Sequence, residues 1–242
     1  MRLLDIGNKY NENGKNLQIE YAQKLLSKAS GCIGIKNSKG AVLFSLKPII
    51  TNLKIYNFDE NIIKINENCY ITGTGLDPDK IFIIEQLKDI AKDYKKNLGE
   101  DITGEYLKVC LNNLIIQFNS LMNARVLGAE FIIMKKEHND YLIYLVKNTG
   151  SILRYKGAVI GSIERRAKTE LEKIDLEQFS LEEMIEAGIR TFYKCFDPLV
   201  DKEFTLEIGI IGDETNGAYY KLQPQEMEKY ISKYCDLTVD DN

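Results

Sequence analysis

Apolar residues recur at helical spacing in the segment that follows the polar turn Asn13–Gly14. The apolar positions of this segment are Leu17, Ala22, Leu25, Leu26 and Ala29. Two short apolar stretches come next, Cys32–Ile35 and Ala41–Leu46, and polar residues separate them. The pattern predicts an opening helix over residues 17–29 and then a β-hairpin.

The remaining pattern alternates groups of strands with pairs of helices. Strands are predicted at 62–66, 69–74, 130–135, 141–147, 204–211 and 218–222, with one extended stretch over 152–160. Helices are predicted at about 79–97, 103–122, 163–173 and 180–196, and a short one after residue 224. Two strand groups flanked by helices predict two stacked sheets covered by helices, an α+β fold built as a four-layer αββα sandwich.

Local signals mark several helix ends. Asp77 is a plausible N-cap before Pro78, and Gly99 is suited to end the helix that begins there. Ser180 and Glu183 have the spacing of a capping box. These signals place the boundaries of two long helices.

Composition predicts one domain over residues 1–235, in which 1–16 form a tail and turn, followed by an acidic tail at 236–242. The 242 residues include only 4 prolines and no linker-like run. The net charge of −4 gives no excess of basic residues for binding nucleic acid. The apolar runs are far too short to span a membrane. Five scattered cysteines and the single His138 predict no metal site, no cofactor and reduced thiols, as in cytoplasmic or nuclear proteins.

Several short motifs follow one another along the chain. They are Q-I-E-Y-A at Gln18–Ala22, T-G-L-D-P-D at Thr74–Asp79, R-V-L-G at Arg125–Gly128, the segment GAVIGSIERRAKTELEK at 157–173 and E-T-N-G at 214–217. In order and spacing the chain resembles an alpha-type subunit of the eukaryotic proteasome core particle. The last two motifs are most similar to the alpha-seven position, alpha type-3 in mammalian naming.

The resemblance implies a fold shared with N-terminal-nucleophile hydrolases and a structural role in ubiquitin-dependent protein degradation. Subunits of this type form the outer ring of the core particle, take part in its assembly, gate substrate access and dock activators. The implied partners are other alpha and beta subunits in a stacked-ring hetero-oligomer and regulatory activator particles, in the cytoplasm and nucleus. No nucleic acid and no membrane are expected as partners.

The resemblance also argues against catalysis. Catalytic relatives use a nucleophile at the first residue, whose free α-amine acts as the base. Here Ser30 or Gly31 heads the first strand after 29 or more residues. The family's catalytic aspartate and lysine fall at Leu46 and Asn61, so the supporting charges are absent. Two alternatives stay open: a free-standing hydrolase processed before Ser30, or a proteasome-like assembly factor.

Three groups of site residues follow from the resemblance. A gate tail would contain Asp5, Gly7 and Tyr10, but it lacks the family's Y-D pair. An inter-subunit helix would present Gln18, Glu20, Tyr21 and Leu25, unless its tyrosine packs on the chain's own sheet. A degenerate activator pocket would contain Asn61 in place of the family's lysine, together with Gly75 and Gln23.

Overall fold

The computed structural model describes residues 10–51, 53, 60–121, 124–197 and 202–232. Within these residues, two five-stranded antiparallel sheets lie at the centre of the molecule. In the order of the first sheet, its strands are β10 (Tyr219–Lys221), β9 (Phe204–Gly212), β2 (Gly40–Pro48), β1 (Cys32–Lys36) and β8 (Gly157–Ile160). The second sheet contains, in order, β3 (Ile62–Asn66), β4 (Cys69–Gly75), β5 (Ala129–Glu137), β6 (Asp140–Val146) and β7 (Ile152–Tyr155).

Six α-helices accompany the sheets in the described part of the chain. They are α1 (Leu17–Leu26), α2 (Asp77–Leu98), α3 (Gly104–Ser120), α4 (Glu164–Leu171), α5 (Leu181–Cys195) and α6 (Pro224–Ile231). Helices α2 and α3 cover the second sheet, where Ile83 and Leu107 pack in one buried cluster with Phe131. Helices α4, α5 and α6 cover the first sheet.

A third buried cluster lies between the two sheets and contains Leu43, Ile132, Ile143 and Ile211. Three apolar layers therefore separate four layers of secondary structure, because each sheet buries one face on helices and the other on its partner sheet. The predicted α+β four-layer αββα sandwich is confirmed.

Three predicted boundaries are wrong. The opening helix ends at Leu26 rather than at residue 29, because the amides of Lys28 and Ala29 bond three residues back and form turns. The N-cap position of α2 is Leu76, and the Asp77 carboxylate instead pairs with Lys80 at 2.8 Å. The stretch 152–160 is two strands in different sheets, because β7 pairs with β6 and β8 pairs with β1.

Other local predictions are confirmed. The Ser180 hydroxyl accepts the amide of Glu183, whose carboxylate accepts the amide of Ser180 in return. Gly99 ends α2 in the left-handed conformation, with φ +76°. The strand β3 has the predicted bounds, and the capping box and C-cap fix the ends of α5 and α2 that the sequence marked.

Candidate functional site

Helix α1 begins at a buried cap. The Asn16 side chain accepts the amides of Gln18 and Ile19, which have no partner within the helix. Helix α1 packs on β4 and β5. Its last residue, Leu26, is only 3% exposed. The helix is therefore capped at its start and anchored to the chain's own sandwich at its end.

Gly75, at the end of β4, lies where α1 packs on the sheet. Its φ is +113°, a conformation that residues with a side chain rarely adopt. A methyl group there would lie 2.9 Å from Leu26 and would collide with the carbonyl oxygen of Gly128. Close packing of α1 on the sheet therefore requires glycine, which explains this predicted site residue without a bound partner.

The four residues predicted to contact neighbouring subunits differ in exposure. Gln18 and Glu20 are half-buried, whereas Tyr21 is 45% and Leu25 36% exposed. Tyr21 and Leu25 are four residues apart and so share one face of the helix. The structure brings these two side chains together as an exposed apolar pair, which we call the α1 stripe.

The backbone at the head of β1 is held by contacts within the chain. The carbonyl oxygen of Ser30 accepts the hydroxyl of Thr74 at 2.6 Å, and the side chain of Ile163 packs directly on Gly31. Two residues on, the Cys32 thiol is fully buried and lies 3.7 Å from the Ser45 hydroxyl. Burial raises the pKa of this thiol, so it stays protonated and unreactive.

Asn61 belongs to a polar cluster between β2, β3 and β9. Its side-chain amide donates to the Ser45 hydroxyl at 3.1 Å. Its backbone amide donates to Glu207 at 2.9 Å, and the next amide, of Ile62, donates to the same carboxylate at 3.3 Å. The predicted replacement of the family's lysine thus has an internal hydrogen-bonding role.

Glu207 is a residue that sequence reasoning missed. It is 3% exposed, pairs with Ser45 across the sheet and accepts Lys47 at 2.5 Å and Lys221 at 3.3 Å. Burial acts to lower the pKa of Lys221, but hydrogen bonding to Glu60 and the charge of Glu207 raise it overall. The signal in the sequence was a single acid within the apolar strand LEIGII.

The activator-pocket residues lie on three different elements: Asn61 directly before β3, Gly75 at the end of β4 and Gln23 on α1. No hydrogen bond among the described residues joins Asn61 to Gln23 or Gly75, and Gln23 is exposed on α1. Of the predicted gate tail, Tyr10 is 77% exposed, and Asp5 and Gly7 lie outside the described residues.

The R-V-L-G segment is fixed by an ion pair between the exposed side chain of Arg125 and the buried carboxylate of Asp79. Arg125 donates two hydrogen bonds to Asp79, at 2.6 and 2.5 Å, and the amide of Gly128 donates to the same carboxylate at 2.7 Å. Burial acts to raise the pKa of Asp79, but the bonds from Arg125 and Gly128 lower it overall. This ion pair holds Gly128 in place, and the carbonyl oxygen of Gly128 lies against Gly75. It therefore supports the surface on which α1 packs.

Residues 26–211 match the family model described as "Proteasome subunit". The chain belongs to the proteasome subunit family. Over its full length it is 36% identical to the "Probable proteasome subunit alpha type-7" of Encephalitozoon cuniculi, all of which it covers. It is also 26% identical to "Proteasome subunit alpha type-3" of Acanthamoeba castellanii over 96% of this chain and 92% of that one. It is 28% identical to the "Probable proteasome subunit alpha type-7" of Schizosaccharomyces pombe over 98% of this chain and 95% of that one.

These relatives make the chain an alpha-type proteasome subunit of the type-3/type-7 kind, a structural component of the outer ring of the core particle. The family-model match begins at Leu26, so most of α1 precedes it, whereas the alpha-type relatives align over nearly the whole chain. Among the described residues of this proteasome subunit, no helix is long and apolar enough to cross a membrane. The same residues contain no cluster of three or more potential metal ligands.

Proposed function

We propose that this proteasome alpha-type subunit has no peptidase activity of its own. One observation carries the proposal: Ser30 follows helix α1 by peptide linkage, so its nitrogen is an amide that cannot act as a base. Leu46 and Asn61 replace the charged residues of catalytic relatives. Asn61 already donates hydrogen bonds to Ser45 and Glu207. The chain would therefore lack the free α-amine that acts as the base and the charges that stabilise the transition state.

Peptide hydrolysis tests this proposal directly. The purified chain should not cleave fluorogenic peptides, and core particles carrying Ser30→Ala should keep the activity of the unmodified particle. Ser162→Ala is the matched control, since Ser162 is a neighbouring serine that does not head the strand. Hydrolysis by the isolated chain that Ser30→Ala abolishes and Ser162→Ala preserves would overturn the proposal.

The α1 stripe is proposed to contact neighbouring subunits of the ring. Tyr21 and Leu25 expose apolar surface on a helix that is already anchored to the chain through Leu26. Rings of this family contain other alpha subunits and stack on beta subunits, and we propose these as the specific partners. Gln18 and Glu20, which are less exposed, would lie at the border of that contact.

Activator docking is proposed to be weak at this subunit. In the family, a lysine at the position of Asn61 pairs with the C-terminal carboxylate of an activator tail. An amide can donate a hydrogen bond but supplies no charge, and charge-assisted bonds are roughly twice as strong. Asn61 is also already bonded within the chain, while Gln23 replaces an arginine of the family pocket.

Restoring the lysine tests the pocket. Core particles with Asn61→Lys should bind an activator tail peptide more tightly than unmodified particles, as measured by fluorescence anisotropy. Asn113→Lys, which adds the same charge on the exposed side of α3, should leave affinity unchanged. Tight binding of the tail carboxylate to the unmodified pocket, seen at Asn61 in a cryo-EM map, would refute the proposal.

The N-terminal tail is proposed to contribute little to sealing the pore. Residues 1–10 contain no Y-D pair, which the tails of the family usually carry. Deleting residues 1–8 should leave the latent peptidase activity of the whole core particle nearly unchanged. A large rise on deletion would show that this tail is a principal gate element.

We propose that the subunit and its partners occur in the cytoplasm and nucleus.

A further inference from the structure

A cleft of about 330 Å³ opens at the end of the first sheet, beneath helices α4 and α5. Its wall is apolar and includes Leu46, Ile163, Phe192, Phe196 and Phe204. Phe196 and Phe204 meet edge to face, with ring centroids 5.2 Å apart. A volume of this size lies at the lower end of the range for small-molecule sites, which runs from about 300 to 1,000 Å³.

Among the described residues, the charges that line the cleft all have one sign. Lys28, Arg166 and Lys202 line it, and no acidic residue of the described chain does. None of these three cations forms an ion pair with any residue that the structure describes, although Lys47, Lys147 and Lys221 elsewhere do. The chain as a whole is acidic, with a net charge of −4, so a cleft whose described charged residues are all cations is opposite in sign to the chain as a whole.

Two hydroxyl groups complete the polar lining. Ser30 and Ser162 both border the cleft, and within the described residues neither side chain has a hydrogen-bond partner. Hydroxyls and a guanidinium are suited to bind a carboxylate, because the planar fork of Arg166 can donate two parallel bonds. The apolar wall would meanwhile take the hydrocarbon part of the same ligand.

We propose that this cleft binds a small amphipathic anion, a carboxylate attached to an apolar chain or ring. The head group would lie among Arg166, Lys28 and Lys202, and the apolar part against Phe196 and Phe204. The site is distinct from the inter-sheet cluster around Cys32 and Asn61, which lies on the other face of the first sheet. Ser30 belongs to both proposals, but carboxylate binding needs only its hydroxyl as a hydrogen-bond donor and no free α-amine.

Photoaffinity labelling of the assembled core particle tests the proposal. The probe is an eight-carbon carboxylate with a diazirine on its chain, and octanoate is the competitor. Mass spectrometry should locate the label in this subunit at peptides that contain Ile163, Phe196 or Phe204, and octanoate should remove it. Octanol should compete poorly, because it lacks the charge, and acetate should compete poorly, because it lacks the chain.

Variants at neighbouring arginines give a matched comparison. Arg166→Gln should weaken competition by octanoate by about tenfold or more, a change of about 1.4 kcal/mol. Arg165→Gln removes the same charge from the next residue, which does not line the cleft, and should change competition by less than about twofold. Lys202→Gln provides a second variant in case Arg166→Gln lowers incorporation of the subunit. Equal effects of Arg165→Gln and Arg166→Gln, equal competition by octanol, or no displaceable label in these peptides would overturn the proposal.

Discussion

Removing the α1 stripe should weaken incorporation of the subunit into the ring. Tyr21 is 45% and Leu25 36% exposed in the single chain, so these fractions remain to be buried by a neighbour. An aromatic residue buries about 150–250 Å², so the exposed part of Tyr21 corresponds to about 2 kcal/mol at about 25 cal/mol per Å². The exposed part of Leu25 adds about 0.5–1 kcal/mol.

The double variant Tyr21→Ala, Leu25→Ala should therefore lose about 3 kcal/mol of association free energy, or roughly a hundredfold in affinity. Cells that express equal amounts of variant and tagged unmodified subunit would reveal this loss. Quantitative mass spectrometry of purified core particles measures the ratio of the two chains.

A matched control and a contrasting variant sharpen the test. Gln23→Ala truncates an exposed polar side chain of the same helix and should compete equally with the unmodified subunit. Leu26→Ala, in contrast, should destabilise the fold itself by about 2–5 kcal/mol, since Leu26 is already buried. Equal incorporation of the double variant and the unmodified chain would refute a role for α1 at the interface.

Three further predictions concern the packing that supports this helix and the burial of the cysteines. Arg125→Ala leaves the buried Asp79 carboxylate without its cation. Because the pKa of Asp79 is lowered in the folded state, its stabilising contribution is present above the carboxyl's ordinary pKa and lost as pH falls through the lowered one. Circular dichroism during acid titration should therefore show the variant losing structure at higher pH than the unmodified chain, and identical profiles would contradict this. Gly75→Ala should reduce the level of assembled subunit, detectable on a native gel, because of strain of about 1–3 kcal/mol at φ +113° and the collision with Gly128; normal assembly would contradict it. In native particles iodoacetamide should label Cys110 of this chain before Cys32 or Cys69, since burial raises the pKa of Cys69 to about 12; early labelling of Cys69 would be inconsistent with the structure.

Features with a local cause could be predicted from the sequence. The bounds of β3 follow from an apolar stretch that ends at the polar turn Glu67–Asn68, and the start of α5 follows from its capping box. The layer order follows from the alternation of strand groups and helix pairs. For β3 and α5, the residues that decide the structure are neighbours in the chain.

Features with distant causes could not be predicted. The chain changes sheets at Lys156, because β7 pairs with the preceding strand β6 whereas β8 pairs with the distant strand β1. The apolar patterns of β7 and β8 do not reveal this difference in pairing. The role of Glu207 depends on Lys47, Asn61 and Lys221, which come from three separate segments. Helical periodicity placed Leu25 and Leu26 in one apolar set, and only packing distinguishes the exposed residue from the buried one.

Native mass spectrometry of the purified core particle tests the central claim most directly. Dissociation of the intact particle should release this subunit with its N-terminal segment and α1 still attached, and its stoichiometry should match one position in each outer ring. A non-catalytic alpha-type subunit predicts that result, because α1 is part of its folded structure. Recovery of a chain that begins at Ser30 or Cys32 would contradict it, since such processing would create a free N-terminal nucleophile.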